Sequence, residues 1–182
     1  MTDKDKKHIS KFLSLVLRHR PEYIDLQLNA NGWANIDELI EKARTRHMNF
    51  SSEELAEVVA TNDKQRFAFN DDKSMIRASQ GHSVKTVDLQ LEAIKPPEFL
   101  YHGTVEKFIS SIQQTGLQKR SRQHVHLSED LETATKVGSR RGNAIILKIA
   151  SGEMHKKGFA FFCSENNVWL TNHVPVAFIE FK

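Results

Sequence analysis

Apolar residues Ile9, Phe12, Leu13, Val16 and Leu17 recur three and four positions apart, which predicts a helix with one buried face. Pro21 prevents that helix from running further, so Arg18 and His19 stand at its end. The same spacing at Ile36, Leu39, Ile40 and Ala43 predicts a second helix over 36–46, capped by Asn35. Ser51 and Glu54 have capping-box spacing and open a third helix carrying Leu55, Val58 and Val59. Phe67 and Phe69 alternate with polar neighbours, and Met75 and Ile76 resume after a polar turn, which reads as a β-hairpin. Helices followed by a hairpin suggest a winged-helix lobe over residues 1–83.

Periodicity fades from Gln80 to Glu98 and Pro96-Pro97 stiffens the chain, so residues 84–98 are expected to link two domains. Beyond them the pattern predicts a strand over 99–102 and a helix over 105–115, capped by Thr104 and stopped by Gly116. A strand over 124–127 leads to a helix opened by Ser128, Glu129 and Asp130. Strands over 144–149, 158–162, 168–171 and 176–181 follow with little helix between them. The fold class is therefore α+β.

At 182 residues and 39% apolar content, the chain can fill one generous core or two small ones. No run approaches the roughly 20 apolar residues of a membrane span, and residues 1–7 lack the apolar run of a signal peptide, so a cytoplasmic location is expected. Cys163 is the only cysteine, which excludes an internal disulfide and reads as a small buried residue. The net charge of +3 is unevenly spread, with thirteen basic and thirteen acidic residues through Ser83 and thirteen against ten beyond. Any phosphate binding would then have to come from a few placed arginines rather than from a general basic coat.

Several short stretches could carry such chemistry. Arg18-His19 offers a phosphate fork beside a proton-transferring ring, although cations at a helix C-terminus are also favoured by its dipole. Lys64 and Arg66 alternate before Phe67 and share a face of an extended segment. Gln80-Gly81-His82-Ser83 can approach a sugar-phosphate backbone closely, as can an ordinary loop. His102-Gly103-Thr104 falls between a predicted strand and a predicted helix, where the first helical N–H groups form an anion site; a turn with a cap explains it equally. Arg122, His124 and His126 alternate along one strand face, and no nearby carboxylate or cysteine completes a metal-ligand set for the histidines. Arg140 lies in a basic turn bounded by Gly138 and Gly142.

Taken in order, these stretches resemble the NAD⁺-dependent RNA 2′-phosphotransferases. The resemblance is carried by Leu15-Val16-Leu17-Arg18-His19, Asn31-Gly32-Trp33, Asp63-Lys64-Gln65-Arg66-Phe67, Ser79-Gln80-Gly81-His82-Ser83, Leu100-Tyr101-His102-Gly103-Thr104, His124-Val125-His126-Leu127-Ser128 and Val168-Trp169-Leu170-Thr171. It implies an N-terminal winged-helix RNA lobe and, over 99–182, an ADP-ribosyltransferase-like mixed α/β lobe for NAD⁺, with the active site in the cleft between them. An essential tetrad then falls on Arg18, His19, Arg66 and Arg122. NAD⁺ is expected at His102, Gly103, Thr104, His126, Ser128, Arg140 and Val168, with Val168 in the triad position where protein-modifying relatives commonly carry glutamate. RNA phosphate is expected at Lys64, Gln80, Gly81, His82 and Ser83.

The resemblance implies a two-step reaction. The RNA 2′-phosphate attacks the nicotinamide ribose, and a hydroxyl of that ribose then attacks phosphorus. The products are 2′-OH RNA, nicotinamide and ADP-ribose 1″,2″-cyclic phosphate. NAD⁺ is consumed, no metal is required, the partner is 2′-phosphorylated, tRNA-like RNA of the kind made in tRNA splicing, and a monomer is expected. Two competing readings stand beside it: an ADP-ribosyltransferase that stops after the first step, and a catalytically silent winged-helix RNA-binding protein.

Overall fold

In a computed structural model that describes residues 1–181, the first apolar stripe forms α1 (Asp3–Arg18), opened by a reciprocal Thr2–Asp5 capping box. Chain contacts divide the protein into two units, Met1–Gln90 and a second that begins at Leu91. Among the described residues, no helix is long and apolar enough to cross a membrane.

The first unit adds α2 (Ile36–Arg44) and α3 (Ser52–Ala60), whose caps are Asn35 and Ser51 as the spacing predicts. β1 (Ala34–Asn35), β2 (Phe67–Phe69) and β3 (Met75–Ala78) form an antiparallel sheet in the order β1-β3-β2. The hairpin was legible; its third strand, two residues long, is too short for periodicity to reveal. Leu13 and Leu17 from α1 meet Leu39, Leu55 and Ile76 in the core, all fully buried. Each contributes roughly 1.5–3 kcal/mol relative to exposure.

The second unit contains β4 (Leu100–Thr104), α4 (Ile109–Thr115), β5 (Leu117–Gln118), β6 (Val125–Leu127), α5 (Leu131–Gly138), β7 (Ile145–Ile149), α6 (Ser151–Lys156), β8 (Phe161–Cys163), β9 (Trp169–Thr171), β10 (His173–Val174) and β11 (Ile179–Glu180). Two three-stranded antiparallel sheets, β11-β7-β4 and β6-β9-β8, accompany the β10-β5 pair. Reciprocal backbone bonds of 2.8 Å between Tyr101 and Ser128 tie the end of β6 to β4. Both units are mixed helix and strand, in keeping with α+β.

Four expectations change, the first being that the strand expected over 176–181 shrinks to Ile179–Glu180 behind a 3-10 turn over Val176–Phe178. Thr104 is not a helix cap: it pairs with Ile145 inside the sheet, Val105 remains extended, and a 3-10 turn over Glu106–Phe108 precedes α4. The anion site expected at a helix start therefore does not lie at His102-Gly103-Thr104, which are consecutive strand residues. α6 occupies a stretch expected to hold little helix, its buried residues being Ser151, Gly152 and Met154. Cys163 is half-buried at the end of β8 rather than buried.

Gly103 shows why β4 tolerates no side chain there. A Cβ at this position would collide with the Ala134 carbonyl oxygen and lie 2.8 Å from the Gly138 nitrogen, both backbone atoms of α5. Gly103→Ala is expected to destabilise the protein by at least about 1–3 kcal/mol, read as a lowered thermal midpoint. Gly158→Ala, where nothing lies within 4 Å and only positive-φ strain is added, serves as the comparison. Equal midpoints for Gly103→Ala and the unaltered protein would refute the packing argument.

Candidate active site

Within the first unit, Arg18 and His19 mark the close of α1, and the loop after β3 fastens that end. The Ser83 amide donates to the Arg18 carbonyl at 2.9 Å, and the His19 Nδ1 and Ser83 hydroxyl lie 3.0 Å apart. Arg18 is buried, its guanidinium donates to the Arg66 carbonyl at 3.3 Å, and it lies over the Phe67 ring at 5.8 Å. Arg66 is set by Asn62, whose side-chain oxygen accepts from the Arg66 guanidinium at 3.4 Å and from the Lys64 amide at 3.2 Å. Gln65, between those two cations, takes a left-handed φ of 42°, so the segment bends where a regular strand would alternate.

Ser79, Gln80 and His82 are buried, whereas Gly81 and Ser83 are half-buried. The His82 ring is 1% exposed and neither nitrogen has a hydrogen-bond partner. Its pKa is pushed down to about 4, first by burial and then by the charges of Arg18, His19 and Arg77. It is thus neutral at pH 7. Gly32 lies against this ring, since a Cβ there would come within 3.3 Å of Nε2, and Arg77 stacks over Trp33 at 4.5 Å.

Within the second unit, Val125 and Leu127 point into the core and leave His126 partly exposed between them. The His102 Nδ1 lies 3.0 Å from the His126 carbonyl, an acceptor, so this nitrogen carries the proton. Arg122 donates to His126 Nδ1 across 3.1 Å. Burial lowers the His102 pKa, the carbonyl bond opposes that shift, and Arg122 and Arg141 reinforce it. The Arg122 pKa is also lowered, by desolvation first and then by Arg141 and Arg140. Three guanidinium groups and two imidazoles therefore influence one another.

Other expected residues are placed less centrally. Ser128 serves the backbone bridge to Tyr101. Val168 precedes β9 in a turn, its amide donating to the Ser164 hydroxyl at 3.1 Å, while Leu170 is the residue paired with His126. His124 lies before β6 with its ring 5.5 Å from that of Phe162. Sequence reasoning missed Asn62 and gave Ser79 no role of its own, yet the two shape the Lys64–Arg66 segment from both sides; the Ser79 amide donates to the Arg66 carbonyl at 2.9 Å. The Asn62-Asp63 pair was a turn signal that could have pointed there.

A family model described as RNA 2′-phosphotransferase, Tpt1 / KptA family, matches residues 4–173. The chain is 59% identical over 182 residues to the "Probable RNA 2′-phosphotransferase" of Flavobacterium johnsoniae, covering 100% of both chains. It is 55% identical over 179 residues to the protein of that name from Rhodopirellula baltica, covering 98% of this chain and 97% of the relative. For the Hahella chejuensis protein of the same name the identity is 54% over 177 residues, with 97% and 95% covered.

The neutral His82 ring ties stability to pH. Its folded pKa, about 4, lies below its unfolded value of about 6.5, so the unfolded chain binds more protons between those limits. This contribution is fully present above about pH 6.5 and declines as pH falls toward about 4, with a slope approaching about 1.4 kcal/mol per pH unit. His82→Asn should flatten that part of the stability curve, measured by denaturant unfolding across the window. Curves that stay parallel would count against the assignment.

Proposed function

This chain belongs to the RNA 2′-phosphotransferase, Tpt1 / KptA family, and we propose that it removes an internal 2′-phosphate from RNA with NAD⁺ as the acceptor, releasing 2′-OH RNA, nicotinamide and ADP-ribose 1″,2″-cyclic phosphate. In this reading the first unit is a winged-helix lobe that handles RNA phosphate, and the second is an ADP-ribosyltransferase-like lobe that holds the dinucleotide.

The observation that carries the reading is the Arg122–His126–His102 chain. Arg122 is positioned by an imidazole nitrogen, and the charges that act on it are those of Arg141 and Arg140, so its charge is left for an anion. Anionic reactants would relieve the mutual repulsion of these cations, the transferred phosphate at Arg122 and the dinucleotide's own phosphates at Arg140. His102, Gly103, Thr104, His126, Ser128, Arg140 and Val168 are the residues proposed to hold it.

The dinucleotide supplies an electrophilic ribose carbon with nicotinamide as leaving group. A phosphate monoester is already anionic near neutral pH, so the RNA nucleophile needs alignment more than a base. Arg18 and Arg66 are proposed to give that alignment, their side chains braced by backbone and Asn62. When the phosphate leaves the RNA, charge grows on its oxygens and on the departing 2′-oxygen, where Arg18, Arg66 and Arg122 lower the barrier. His19, oriented by Ser83, is the group proposed to move a proton, an effect of about 10²–10⁴ in rate. Lys64 with the 80–83 segment is proposed to engage neighbouring RNA phosphate, Gly81 and Ser83 being the accessible members and the buried Gln80 and His82 supporting the segment from within.

A single-turnover assay with an internally 2′-phosphorylated oligonucleotide should yield 2′-OH RNA and the cyclic phosphate only when NAD⁺ is added. A stable ADP-ribosylated adduct, or RNA binding without nicotinamide release, would overturn the reading in favour of one of its competitors. Arg66→Ala is expected to slow phosphate removal by about 10²–10³ and leave NAD⁺ affinity by calorimetry within about threefold. Lost NAD⁺ affinity with normal RNA processing would reverse the roles assigned to the two units.

A further inference from the structure

Phe108 is half-buried against the core of the second unit, and three cations surround its ring. Lys107 Nζ is 5.1 Å from the ring centroid, Arg120 Cζ 5.6 Å and Arg141 Cζ 5.9 Å. They arrive from three separate segments: the turn before α4, the loop after β5 and the turn after α5. All three are exposed, and among the described residues none forms an ion pair with a carboxylate. Arg141 also lies close enough to Arg122 and His102 to bear on their protonation, so this cluster continues the basic surface of the proposed dinucleotide site.

We propose that Phe108, Lys107, Arg120 and Arg141 form a docking surface for the RNA strand that flanks the 2′-phosphate. The proposal rests on the reading of this chain as an enzyme acting on RNA. Charge decides the occupant: with Arg122 given to the transferred phosphate, a dinucleotide diphosphate brings only one charge on each phosphate, too few for Arg140 and the three cations around Phe108 together. The cations around Phe108 remain without an anion, and a polynucleotide supplies one at every residue. A fixed aromatic ring with guanidinium groups beside it also suits an unstacked nucleobase, which stacks on such planes while its phosphates meet the cations. Recognition of this kind tolerates any base, so the surface adds affinity and register without reading sequence.

The test compares binding of a 2′-phosphorylated dinucleotide with that of an oligomer of about ten nucleotides bearing the same phosphate, using the full chain in the absence and presence of NAD⁺. The unaltered protein should bind the oligomer more tightly. Phe108→Leu should weaken that gain by roughly five- to a hundred-fold. Lys107→Gln with Arg120→Gln should lower the slope of log affinity against log salt by about 1.4, or about 0.7 for each lost contact. Both variants should keep the KM for NAD⁺ and the turnover of the dinucleotide substrate, which also shows that they fold. Absence of a length gain in the unaltered protein would overturn the proposal, as would variants that raise the KM for NAD⁺ and leave the gain intact. Failure of the unaltered protein to turn over the short substrate would instead count against the reaction proposed above, because the length gain is read from binding alone.

Discussion

Arg122 donates to an imidazole nitrogen and lies within the influence of Arg140 and Arg141, so its position is maintained against electrostatic repulsion. A carboxylate could hold the same guanidinium more firmly, but it would cancel the positive charge that the imidazole leaves intact. The cost of this choice falls on the surrounding scaffold. His126 is carried by β6 between two buried residues, and its carbonyl is bonded to His102 on β4. The two sheets, bridged at Tyr101 and Ser128, thus supply the restraint that an opposite charge would otherwise give.

The first unit meets the same constraint by burial. Arg18 ends α1 beneath the surface, and the loop that secures it brings His82 close to Arg18, His19 and Arg77. A protonated imidazole there would add another positive charge in a poorly solvated place, so the ring is tolerated only as a neutral group. Gly32 leaves room for it, and Trp33 takes the flat face of Arg77. The Asn31-Gly32-Trp33 stretch therefore supports the basic cluster from outside the segments that carry its charges.

How much of this was legible in the chain depended on the range of the physics involved. Asn35 and the Ser51–Glu54 box act within one helical turn, and both caps form as their spacing predicts. The apolar stripe of α1 and the Phe67–Ile76 hairpin are equally local in origin. Strands of two residues, such as β1, β5 and β10, exist through partners far along the chain and leave no periodic trace. Thr104 looked like a cap because threonine before a helical pattern usually is one; pairing with Ile145 drew it into the sheet instead. The Arg18-His19 and His102–His126 stretches were visible as chemistry. Asn62 and Ser79, which brace Arg66, were not, because ordinary polar residues acquire such roles only through folded neighbours.

The two imidazoles of the second unit are held as opposite tautomers. His102 donates to a carbonyl through Nδ1 and so keeps Nε2 as a lone-pair nitrogen, while His126 accepts a hydrogen bond from Arg122 at Nδ1 and carries its own hydrogen on Nε2. The pair consequently differs in polarity at corresponding ring positions: one seeks a hydroxyl hydrogen, the other an oxygen lone pair. Two groups that can only donate, or two that can only accept, therefore cannot satisfy both rings at once, whereas one donor with one acceptor can.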